Sequence, residues 1–305
     1  MKKDLLSVAD LSRGDVEQLI EQALVMKQGG MRCLLPWRSV ALLFEKPSLR
    51  TRVSFDLAVT QLGGHCLYLS PQEVGLGQRE PVADVARVLS RYVDCIVARV
   101  FSHDTLVSLA GSASVSVINA LSDLEHPCQA LADFLTIREH KGRLQGVRLA
   151  YVGDGNNVAR SLALLSGMMG VDFVIASPSG FALDEGTLRR ARAMAAAAGS
   201  SVTAMSDPVK AVRSADVVYT DTWTSMGQEK EAPMRREAFA AYQVNNPLLA
   251  HAQPDVIFMH CLPAHHGEEV TTEVLNGASS VVFDQAENRL HVQKAVLAQI
   301  LIPAD

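Results

Sequence analysis

The stretch Phe44-Glu45-Lys46-Pro47-Ser48-Leu49-Arg50-Thr51-Arg52 decides how this chain folds. It follows an apolar run at residues 40–44, which predicts a buried strand that Pro47 ends. After Ser48 the apolar residues recur at helical spacing until the glycine pair at residues 63–64, so a helix is predicted to begin beside Ser48. A repeated alternation of strand and helix is typical of a parallel sheet covered by helices.

The same stretch has the composition of an anion site. A hydroxyl and two arginines, at Ser48, Arg50 and Arg52, fall near the first turn of the predicted helix. Basic side chains at this end oppose the helix dipole, so helix propensity does not account for them. An anion bound by the free backbone N–H groups and the guanidinium groups would account for them. A solvated loop with an ordinary pair of surface arginines is equally compatible with this stretch alone.

The composition limits the class of protein. The 305 residues carry a formal net charge of −5 and are 48% hydrophobic, enough for one large domain or two modest ones. The acidic balance disfavours nucleic acid or an acidic membrane as the main partner. Five scattered cysteines without a Cys-x-x-Cys pair indicate a reducing compartment. We expect a cytoplasmic protein, because no signal-peptide core follows the basic start and residues 105–122, the longest uncharged stretch, are too polar to span a membrane.

Strands and helices alternate along the whole chain. The runs predicted as strands lie at residues 40–44, 66–69, 95–98, 115–118, 149–152, 173–176, 202–205, 217–220, 256–259 and 281–283. A polar, glycine-bearing segment at residues 141–146 predicts a domain boundary. The predicted fold class is therefore α/β, with two doubly wound parallel-sheet domains facing each other across a cleft. We place the first domain at residues 1–140, with a C-terminal helix at residues 286–305 packing back on it, and the second at residues 141–285.

Polar residues directly follow several of the predicted strands. They are Arg99, Asp154, Asp221, His260 and Cys261. In open parallel sheets, ligands bind outside the carboxyl ends of the strands. The pattern therefore predicts that each domain presents polar chemistry at one edge of its sheet.

One group of residues has the chemistry to bind a phosphate dianion and a neighbouring carbonyl group. Its members are Ser48, Arg50, Thr51, Arg52, Arg99, His126, Gln129 and Arg289. His126 near a helix start would stay neutral, because the positive end of the dipole disfavours imidazolium. A neutral imidazole can donate one hydrogen bond to a polarised oxygen. For any of these arginines taken alone, a solvated face or a surface ion pair is the better interpretation.

The segment Gly153-Asp154-Gly155-Asn156-Asn157-Val158 superficially suggests a dinucleotide-binding loop. Val158 stands in place of the third glycine, and Asp172 falls in the connection rather than at the end of the next strand. A NAD site is therefore disfavoured, and no cofactor is predicted. Asn156 and Asn157 could instead cap the helix or bind a ligand carboxylate.

Two further segments add polar groups to the second predicted domain. They are Asp-Thr-Trp-Thr-Ser-Met-Gly at residues 221–227 and His-Cys-Leu-Pro-Ala-His-His at residues 260–266. An aspartate at a strand end can pair with an ammonium group. The His and Cys residues suggest zinc, but their adjacent pairs lack the usual ligand spacing, so no metal site is predicted. Cys261 taken alone is most often a small buried hydrophobe.

Together these segments resemble the aspartate/ornithine carbamoyltransferase family along nearly the whole chain. The likeness rests on Ser-x-Arg-Thr-Arg at residues 48–52, His-Pro-Cys-Gln at 126–129, the segment at 221–227 and His-Cys-Leu-Pro at 260–263. The first two are similar to the carbamoyl-phosphate signature of the family, and the last two to its ornithine branch. Four short motifs in the same order over two domains make the likeness specific.

The resemblance implies transfer of the carbamoyl group from carbamoyl phosphate to the side-chain amine of L-ornithine, giving L-citrulline and phosphate. It also implies a homotrimer with sites at the subunit interfaces, without metal or cofactor. The residues implied to bind carbamoyl phosphate are Ser48, Leu49, Arg50, Thr51, Arg99, His126, Gln129, Cys261, Leu262 and Arg289. Those implied to bind ornithine are Asn157, Asp221, Ser225 and Met226. Those implied to be catalytic are Arg99, His126, Gln129, Asp221, Cys261 and Arg289.

Within this set the resemblance implies separate roles. The carbamoyl oxygen would be polarised by Arg99, Thr51, His126 and Gln129, and Cys261 with Leu262 would lie beside the reacting amine. Two positions depart from the family pattern. Leu49 replaces a common threonine, which removes one hydroxyl but keeps the backbone N–H. Gly75 stands where relatives often have a Gln or His that reaches the neighbouring subunit's phosphate, and Gln78 or Arg79 are the candidates to replace it.

Other functions stay as alternatives. A related enzyme would carbamoylate putrescine or an N-acylated ornithine. A non-catalytic protein that binds a phosphate metabolite would keep the first group and lose the polar set of the second domain. The sequence keeps both groups, and this favours the ornithine reaction.

Overall fold

The chain divides into two compact units, which are Met1–Leu135 with Glu287–Asp305, and Thr136–Ala286. A computed structural model describes residues 4–31, 33–77, 79–225 and 227–302. Each unit contains its own parallel sheet, which confirms the predicted α/β class with two parallel-sheet domains. The predicted boundary after residue 140 falls near the end of a helix, Pro127–Lys141, in which the chain passes from one unit to the other.

The first unit is built on a four-stranded parallel sheet. Its strands are β1 (Ser39–Phe44), β2 (His65–Leu69), β3 (Cys95–Arg99) and β4 (Ser116–Leu121). They lie in the order β2-β1-β3-β4. The two central strands are almost entirely buried, as is typical of parallel strands covered on both faces.

Helices connect these strands, and their starts follow the capping signals in the sequence. They are α1 (Arg13–Lys27), α2 (Leu49–Gln61), α3 (Pro71–Val74), α4 (Val82–Leu89), α5 (His103–Ser112) and α6 (Pro127–Lys141). At the start of α1, the Ser12 hydroxyl accepts the N–H of Asp15, and the Asp15 carboxylate accepts the N–H of Ser12. This reciprocal pair is a capping box, and it satisfies two backbone donors that the helix itself leaves unpaired.

The second unit is built on a five-stranded parallel sheet in the order β7-β6-β5-β8-β9. Its strands are β5 (Arg148–Val152), β6 (Asp172–Ala176), β7 (Val202–Met205), β8 (Val217–Thr220) and β9 (Ile257–His260). Its helices are α7 (Asn157–Met169), α8 (Glu185–Ala198), α9 (Pro208–Val212), α10 (Ala232–Phe239), α11 (Asn246–Leu249) and α12 (Thr272–Leu275). In the described ranges, no helix combines the length and the apolar composition needed to cross a bilayer.

The last helix, α13 (Val282–Leu301), begins where the sequence predicts a strand at residues 281–283. That prediction is wrong. The N–H of Val281 donates to the carbonyl of Phe258 in β9, and the helix begins at the next residue. The apolar run is only three residues long, and Phe283 is 71% exposed, so the helical pattern of the following residues prevails over the strand signal.

The C-terminal part of α13 packs on the first unit, as predicted. Lys294 Nζ donates to Gln61 Oε1 of α2 at 3.1 Å, and Gln299 Nε2 donates to Gln22 Oε1 of α1 at 3.0 Å. Val292, Val296 and Leu297 of the same helix are fully buried. The helix thus returns the end of the chain to the sheet from which the chain started.

Gly155 should be one of the least replaceable residues of the second unit. A β-carbon at this position would lie 2.5 Å from the carbonyl carbon of Ala182 and 2.6 Å from Cα of Leu183. Because backbone atoms cannot move aside cheaply, we expect Gly155→Ala to lower the free energy of unfolding by about 1–3 kcal/mol. Denaturant unfolding measures this change. In Gly111→Ala, the control in α5, the new methyl would meet no heavy atom within 4 Å. Equal losses in both variants would contradict the expectation.

Candidate active site

The first group of polar residues lies where the strand order of the first sheet reverses. β1 pairs with β2 on one side and with β3 on the other, so the segments that follow β1 and β3 diverge. Such a switch point, at the carboxyl ends of parallel strands, is where open α/β sheets bind ligands. The loop to Ser48 follows β1, and Arg99 is the last residue of β3. The topology therefore brings two of the predicted motifs to one edge.

Ser48 begins α2 as its N-cap. Its hydroxyl accepts the N–H of Thr51 at 3.3 Å and donates to Thr51 Oγ1 at 3.0 Å. The other first-turn N–H groups, including that of Leu49, retain the positive end of the helix dipole. Leu49, which stands where the family commonly has threonine, is 77% exposed. Of this residue, therefore, only the backbone N–H is available to an anion. This is a ready anion-binding geometry.

The buried Thr51 links α2 to the C-terminal helix. Nη2 of Arg289 donates to Thr51 Oγ1 at 2.7 Å, and only 3% of Arg289 is exposed. The two residues are far apart in sequence, and both belong to the group predicted for carbamoyl phosphate. This hydrogen bond fixes a buried guanidinium group beside the first turn of α2.

His126 lies directly before α6 and is buried, as are Arg99 and Arg289. Burial, together with the charges of Arg289 and Arg99, lowers the pKa of His126 well below its ordinary value. The imidazole is therefore neutral near pH 7. A neutral ring can donate a hydrogen bond to a developing oxyanion without adding another positive charge to the site.

Gln129 is buried in the first turn of α6, and its side-chain amide contacts Asp133. Nε2 of Gln129 donates to Asp133 Oδ1 at 2.8 Å. Oε1 of Gln129 is buried and has no hydrogen-bond partner among the described residues. An amide oxygen can only accept, so this orientation suits an N–H group of a ligand rather than a carbonyl oxygen. The predicted role of Gln129 toward the carbamoyl oxygen stays a prediction.

The other basic side chains of residues 46–52 have different surroundings. Nε of Arg50 is buried and has no partner in the described ranges, so it is available to an anion. Arg52 lies instead over the ring of Tyr68, with 3.9 Å between its guanidinium carbon and the ring centroid. Burial, and then the charge of Arg99, lowers the pKa of Lys46, a residue that the sequence argument missed.

Gly75, the second departure from the family pattern, ends α3 with a left-handed φ of 52°. Glycine adopts this conformation without the clash that a β-carbon causes. Of its two candidate replacements, Gln78 lies outside the described residues, and Arg79 Nη1 donates to the carbonyl of Glu73 at 3.4 Å. In this chain, therefore, Arg79 closes its own loop.

The second group lies at the switch point of the second sheet. The strand order reverses between β5 and β8, and both strands end in predicted motifs. The loop at residues 153–156 follows β5, and Asp221 follows β8. The second group therefore also lies at a switch point at the carboxyl ends of parallel strands, where open α/β sheets bind ligands.

Asp221 is buried, and its carboxylate accepts three hydrogen bonds. Oδ1 accepts the N–H of Thr222 at 2.8 Å and the thiol of Cys261 at 3.0 Å. Oδ2 accepts Nδ2 of Asn156 at 2.8 Å. These three donors fix the plane of the Asp221 carboxylate.

Asn156, rather than Asn157, is the asparagine that contacts Asp221. Its Oδ1 accepts the N–H groups of Val158 and Ala159 at 3.0 and 3.1 Å, which caps α7. Its Nδ2 is then directed to the carboxylate. Asn157, predicted to bind ornithine, is the first residue of α7 and is half-buried. The capping preference of asparagine was the signal that pointed to Asn156.

The segment after Asp221 is anchored by a buried arginine that the sequence argument missed. Nη1 of Arg235 donates to the carbonyl of Trp223 at 2.9 Å and to Asp154 Oδ2 at 2.8 Å. Burial raises the pKa of Asp154, although Arg235 opposes that change. Beyond this anchor, the N–H of Ser225 donates to Gln228 Oε1 at 3.2 Å, and Met226, predicted to bind ornithine, lies outside the described residues.

The segment after β9 brings Cys261 beside Asp221. Asp221, His260 and Cys261 offer ligand atoms within 4.8 Å of one another, closer than their spacing in the sequence suggests. Both ring nitrogens of His260 already face other groups, since Nδ1 accepts the N–H of Leu262 at 2.9 Å and Nε2 lies 3.3 Å from Glu269 Oε1. A cation bound through His260 would have to displace one of them. The expected absence of a metal stays a prediction.

The chain matches the two domains of one enzyme family over most of its length. Residues 3–139 match "Aspartate/ornithine carbamoyltransferase, carbamoyl-P binding domain", and residues 145–300 match "Aspartate/ornithine carbamoyltransferase, Asp/Orn binding domain". The chain is 53% identical over 303 residues to the ornithine carbamoyltransferase of Pyrococcus abyssi, covering 98% of this chain and 96% of that protein.

Two comparisons with Pyrococcus furiosus agree with this result. The chain is 52% identical over 303 residues to its "Ornithine carbamoyltransferase, anabolic", covering 98% of this chain and 96% of that protein. A solved structure of ornithine carbamoyltransferase from the same organism superposes with a TM-score of 0.96 at 52% identity, over 99% of this chain and 98% of that one. Because the sequence families, the full-length identity and the fold all agree, this chain belongs to the aspartate/ornithine carbamoyltransferase family.

Proposed function

We propose that this protein transfers the carbamoyl group of carbamoyl phosphate to the side-chain amine of L-ornithine, giving L-citrulline and phosphate. The observation that carries the proposal is the contrast between the two switch points. The polar set of the first sheet is cationic and surrounds a helix start, whereas that of the second sheet centres on the buried carboxylate of Asp221. The first suits a phosphate, and the second suits an amino acid with an ammonium group.

At the phosphate end, the first turn of α2 supplies backbone N–H groups, and Arg50 and Arg99 supply charge. These groups stabilise the phosphate as the bond between the carbamoyl carbon and the bridging oxygen breaks. Arg289, held by Thr51, adds a buried positive charge. No metal is required for this role, because the charge of the leaving phosphate is met by guanidinium groups.

At the carbamoyl group, the attacking amine forms a tetrahedral centre whose oxygen becomes negative. The neutral His126 and the Thr51 hydroxyl are the donors suited to that oxygen. Oε1 of Gln129 suits the carbamoyl amino group, which it would orient by accepting its N–H. The donors therefore act on the atom where charge develops during the reaction.

The amine must lose a proton before it attacks, since an alkyl ammonium titrates near ~10.4. Positive charges favour that loss, whereas the Asp221 carboxylate would oppose it beside the reacting nitrogen. We therefore assign Asp221 to the α-amino group of ornithine and Cys261 with Leu262 to the vicinity of the side-chain amine. Asn157 and Ser225 are assigned to the amino-acid backbone. The side-chain ammonium group first gives one proton to solvent. The free amine then attacks, so that a C–N bond forms and the C–O bond to phosphate breaks, and the second proton, lost by the nitrogen of the tetrahedral centre, passes to the departing phosphate.

The assembly and the setting are part of the same proposal. Because related proteins are ornithine carbamoyltransferases, we propose a homotrimer with sites at the subunit interfaces, as the family resemblance implies. Five free cysteines agree with a reducing, cytoplasmic setting. The similarity to a relative named as anabolic supports a role in arginine biosynthesis.

A citrulline-forming assay with several amines tests the proposal. Acylation of the α-amino group removes the charge that pairs with Asp221, and putrescine lacks the α-carboxylate. We therefore expect kcat/KM for ornithine to exceed that for N-acetylornithine and for putrescine by about 100-fold or more. Each carbamoylated product is measured separately, with carbamoyl phosphate held constant.

Each alternative gives a distinct result in this assay. A higher kcat/KM for putrescine or N-acetylornithine would assign the protein to the corresponding related reaction. Binding of carbamoyl phosphate without any carbamoylated product would indicate a non-catalytic binding protein. Either result would overturn the proposed activity.

A further inference from the structure

His260 and Glu269 form a buried pair directly behind Cys261. Both side chains are completely buried, so neither can touch a substrate. His260 is the last residue of β9, and its own backbone N–H donates to the buried Gln285 at 2.9 Å. The ring therefore occupies a fixed place under the segment that leaves the strand.

The hydrogen bonds of His260 define which ring nitrogen carries the proton. Nδ1 accepts the backbone N–H of Leu262 at 2.9 Å, so it has no proton of its own. The neutral ring must then carry its proton on Nε2, which lies 3.3 Å from Glu269 Oε1. A carboxylate facing Nε2 favours this tautomer, because it attracts the N–H and repels a bare nitrogen lone pair.

Glu269 is itself held from both sides. Its Oε1 accepts the N–H of His265 at 2.5 Å, and its backbone carbonyl accepts the N–H of Val244 at 2.9 Å. Burial opposes ionisation, but the contact with the His260 ring and the hydrogen bond from the His265 N–H outweigh it, so the pKa of Glu269 is lowered. The side chain is therefore an anchored carboxylate rather than a neutral acid.

The segment above this pair needs an anchor. Leu262 has a φ of 56°, in the left-handed region that residues with a β-carbon disfavour. The bond to His260 holds its N–H in that conformation. The preceding residue, Cys261, has its sulfur 3.0 Å from Asp221 Oδ1. A shift of Leu262 would therefore move the Cys261 thiol relative to the carboxylate.

We propose that His260 and Glu269 are positioning residues that fix Cys261 and Leu262 beside the ornithine amine. Glu269 sets the tautomer of His260, His260 accepts the Leu262 N–H, and this bond holds the backbone turn that carries Cys261. The expected effect on the ornithine reaction rests on the proposed function. The expected effect on the position of the Cys261 thiol does not depend on it.

A pair of His260 variants tests the acceptor role. In His260→Asn, the side-chain oxygen can take the place of Nδ1 and still accept the Leu262 N–H, whereas His260→Leu offers no acceptor. We expect His260→Leu to lower kcat/KM for ornithine by about 10- to 100-fold, and His260→Asn to recover most of that loss. The KM for carbamoyl phosphate should change less than the kcat/KM for ornithine in both variants, because Cys261 and Leu262 are only two of the residues implied to bind it.

A second pair tests Glu269 in the same way. Glu269→Gln keeps an oxygen that can face Nε2 and the His265 N–H, whereas Glu269→Leu removes it. We expect Glu269→Gln to stay within about 3-fold of the parent protein and Glu269→Leu to match His260→Leu. Val174→Ala is the control for general loss of stability. Val174 is buried in β6, which pairs with β5 and β7 but not with β9.

The rate of Cys261 alkylation by iodoacetamide, resolved by peptide mass spectrometry without substrates, is independent of the reaction catalysed. It should change several-fold in His260→Leu and Glu269→Leu and stay near the parent rate in His260→Asn and Val174→Ala. Equal effects of His260→Asn and His260→Leu on both readouts would overturn the inference. So would equal losses for ornithine and carbamoyl phosphate, or a Val174→Ala variant that reproduces them. A parent protein that forms no citrulline, yet shows the predicted alkylation pattern, would overturn the proposed function alone.

Discussion

Replacement of His126 by alanine is expected to lower kcat by about 10²- to 10³-fold while the protein stays folded. The neutral ring lies among Arg99 and Arg289 and is suited to donate to the oxygen of the tetrahedral centre. That oxygen bears a negative charge only during the reaction, so its donor contributes more to the transition state than to substrate binding. We therefore expect the KM for ornithine to change by less than about 3-fold. Steady-state kinetics with both substrates measures the effect.

The conservative variant His126→Gln keeps a donor and should retain more activity than His126→Ala. His251→Ala, at an exposed histidine, is the matched control and should behave as the parent protein. Because the pKa of His126 is lowered well below its ordinary value, its protonation should not limit kcat near neutral pH. Near-parent turnover of His126→Ala, or a rate that falls with protonation of His126 near pH 7, would contradict this role.

Replacement of Asp221 by asparagine is expected to raise the KM for ornithine by about 10- to 100-fold, from the loss of a charge-assisted bond to the α-ammonium group. The carboxylate accepts hydrogen bonds from Thr222, Cys261 and Asn156. Asparagine has an NH2 group in place of one carboxylate oxygen. This NH2 group would face at least one of the three donors, so the side chain at position 221 also shifts. The KM for carbamoyl phosphate should change by less than about 2-fold, because the residues predicted to bind its phosphate, from Ser48 to Thr51 and Arg99, belong to the first unit.

Two comparisons separate charge from misfolding in this variant. Glu237→Gln removes an exposed carboxylate of α10 and should leave both KM values unchanged. Thermal unfolding of Asp221→Asn, followed by circular dichroism, should show one cooperative transition, as in the parent protein. Equal weakening of ornithine and carbamoyl phosphate would be incompatible with the role assigned to Asp221.

Most of the secondary structure follows from local patterns in the sequence. The run at residues 40–44 appears as β1, and the helix predicted after Ser48 appears as α2 with Ser48 as its cap. Both depend on side chains within a few positions of each other, which a linear pattern records. The error at residues 281–283 has the opposite cause, since three apolar residues fit the start of a buried helix as well as a short strand.

The site follows from the sequence only in part. The motifs name residues such as Thr51 and Asp221, but hydrogen bonds decide what each side chain can do. Asp133 turns the amide of Gln129 so that its oxygen is available, and capping of α7 directs Asn156 to Asp221. Arg235, which anchors the segment after Asp221, lies in a stretch with no motif of its own. Such partners depend on folding and leave no periodic signal.

The sequence by itself determined the alternation of strands and helices, the start of α2 at Ser48 and the family to which the chain is similar. The tertiary structure alone decided the order of the strands, and with it which loops lie at a switch point. It also decided that Arg289 meets Thr51, a residue 238 positions away. The physical reason is that the spacing of apolar residues and the capping of helices involve residues close together in the chain. Strand order and buried hydrogen bonds, in contrast, are settled by residues that become neighbours only when the chain folds.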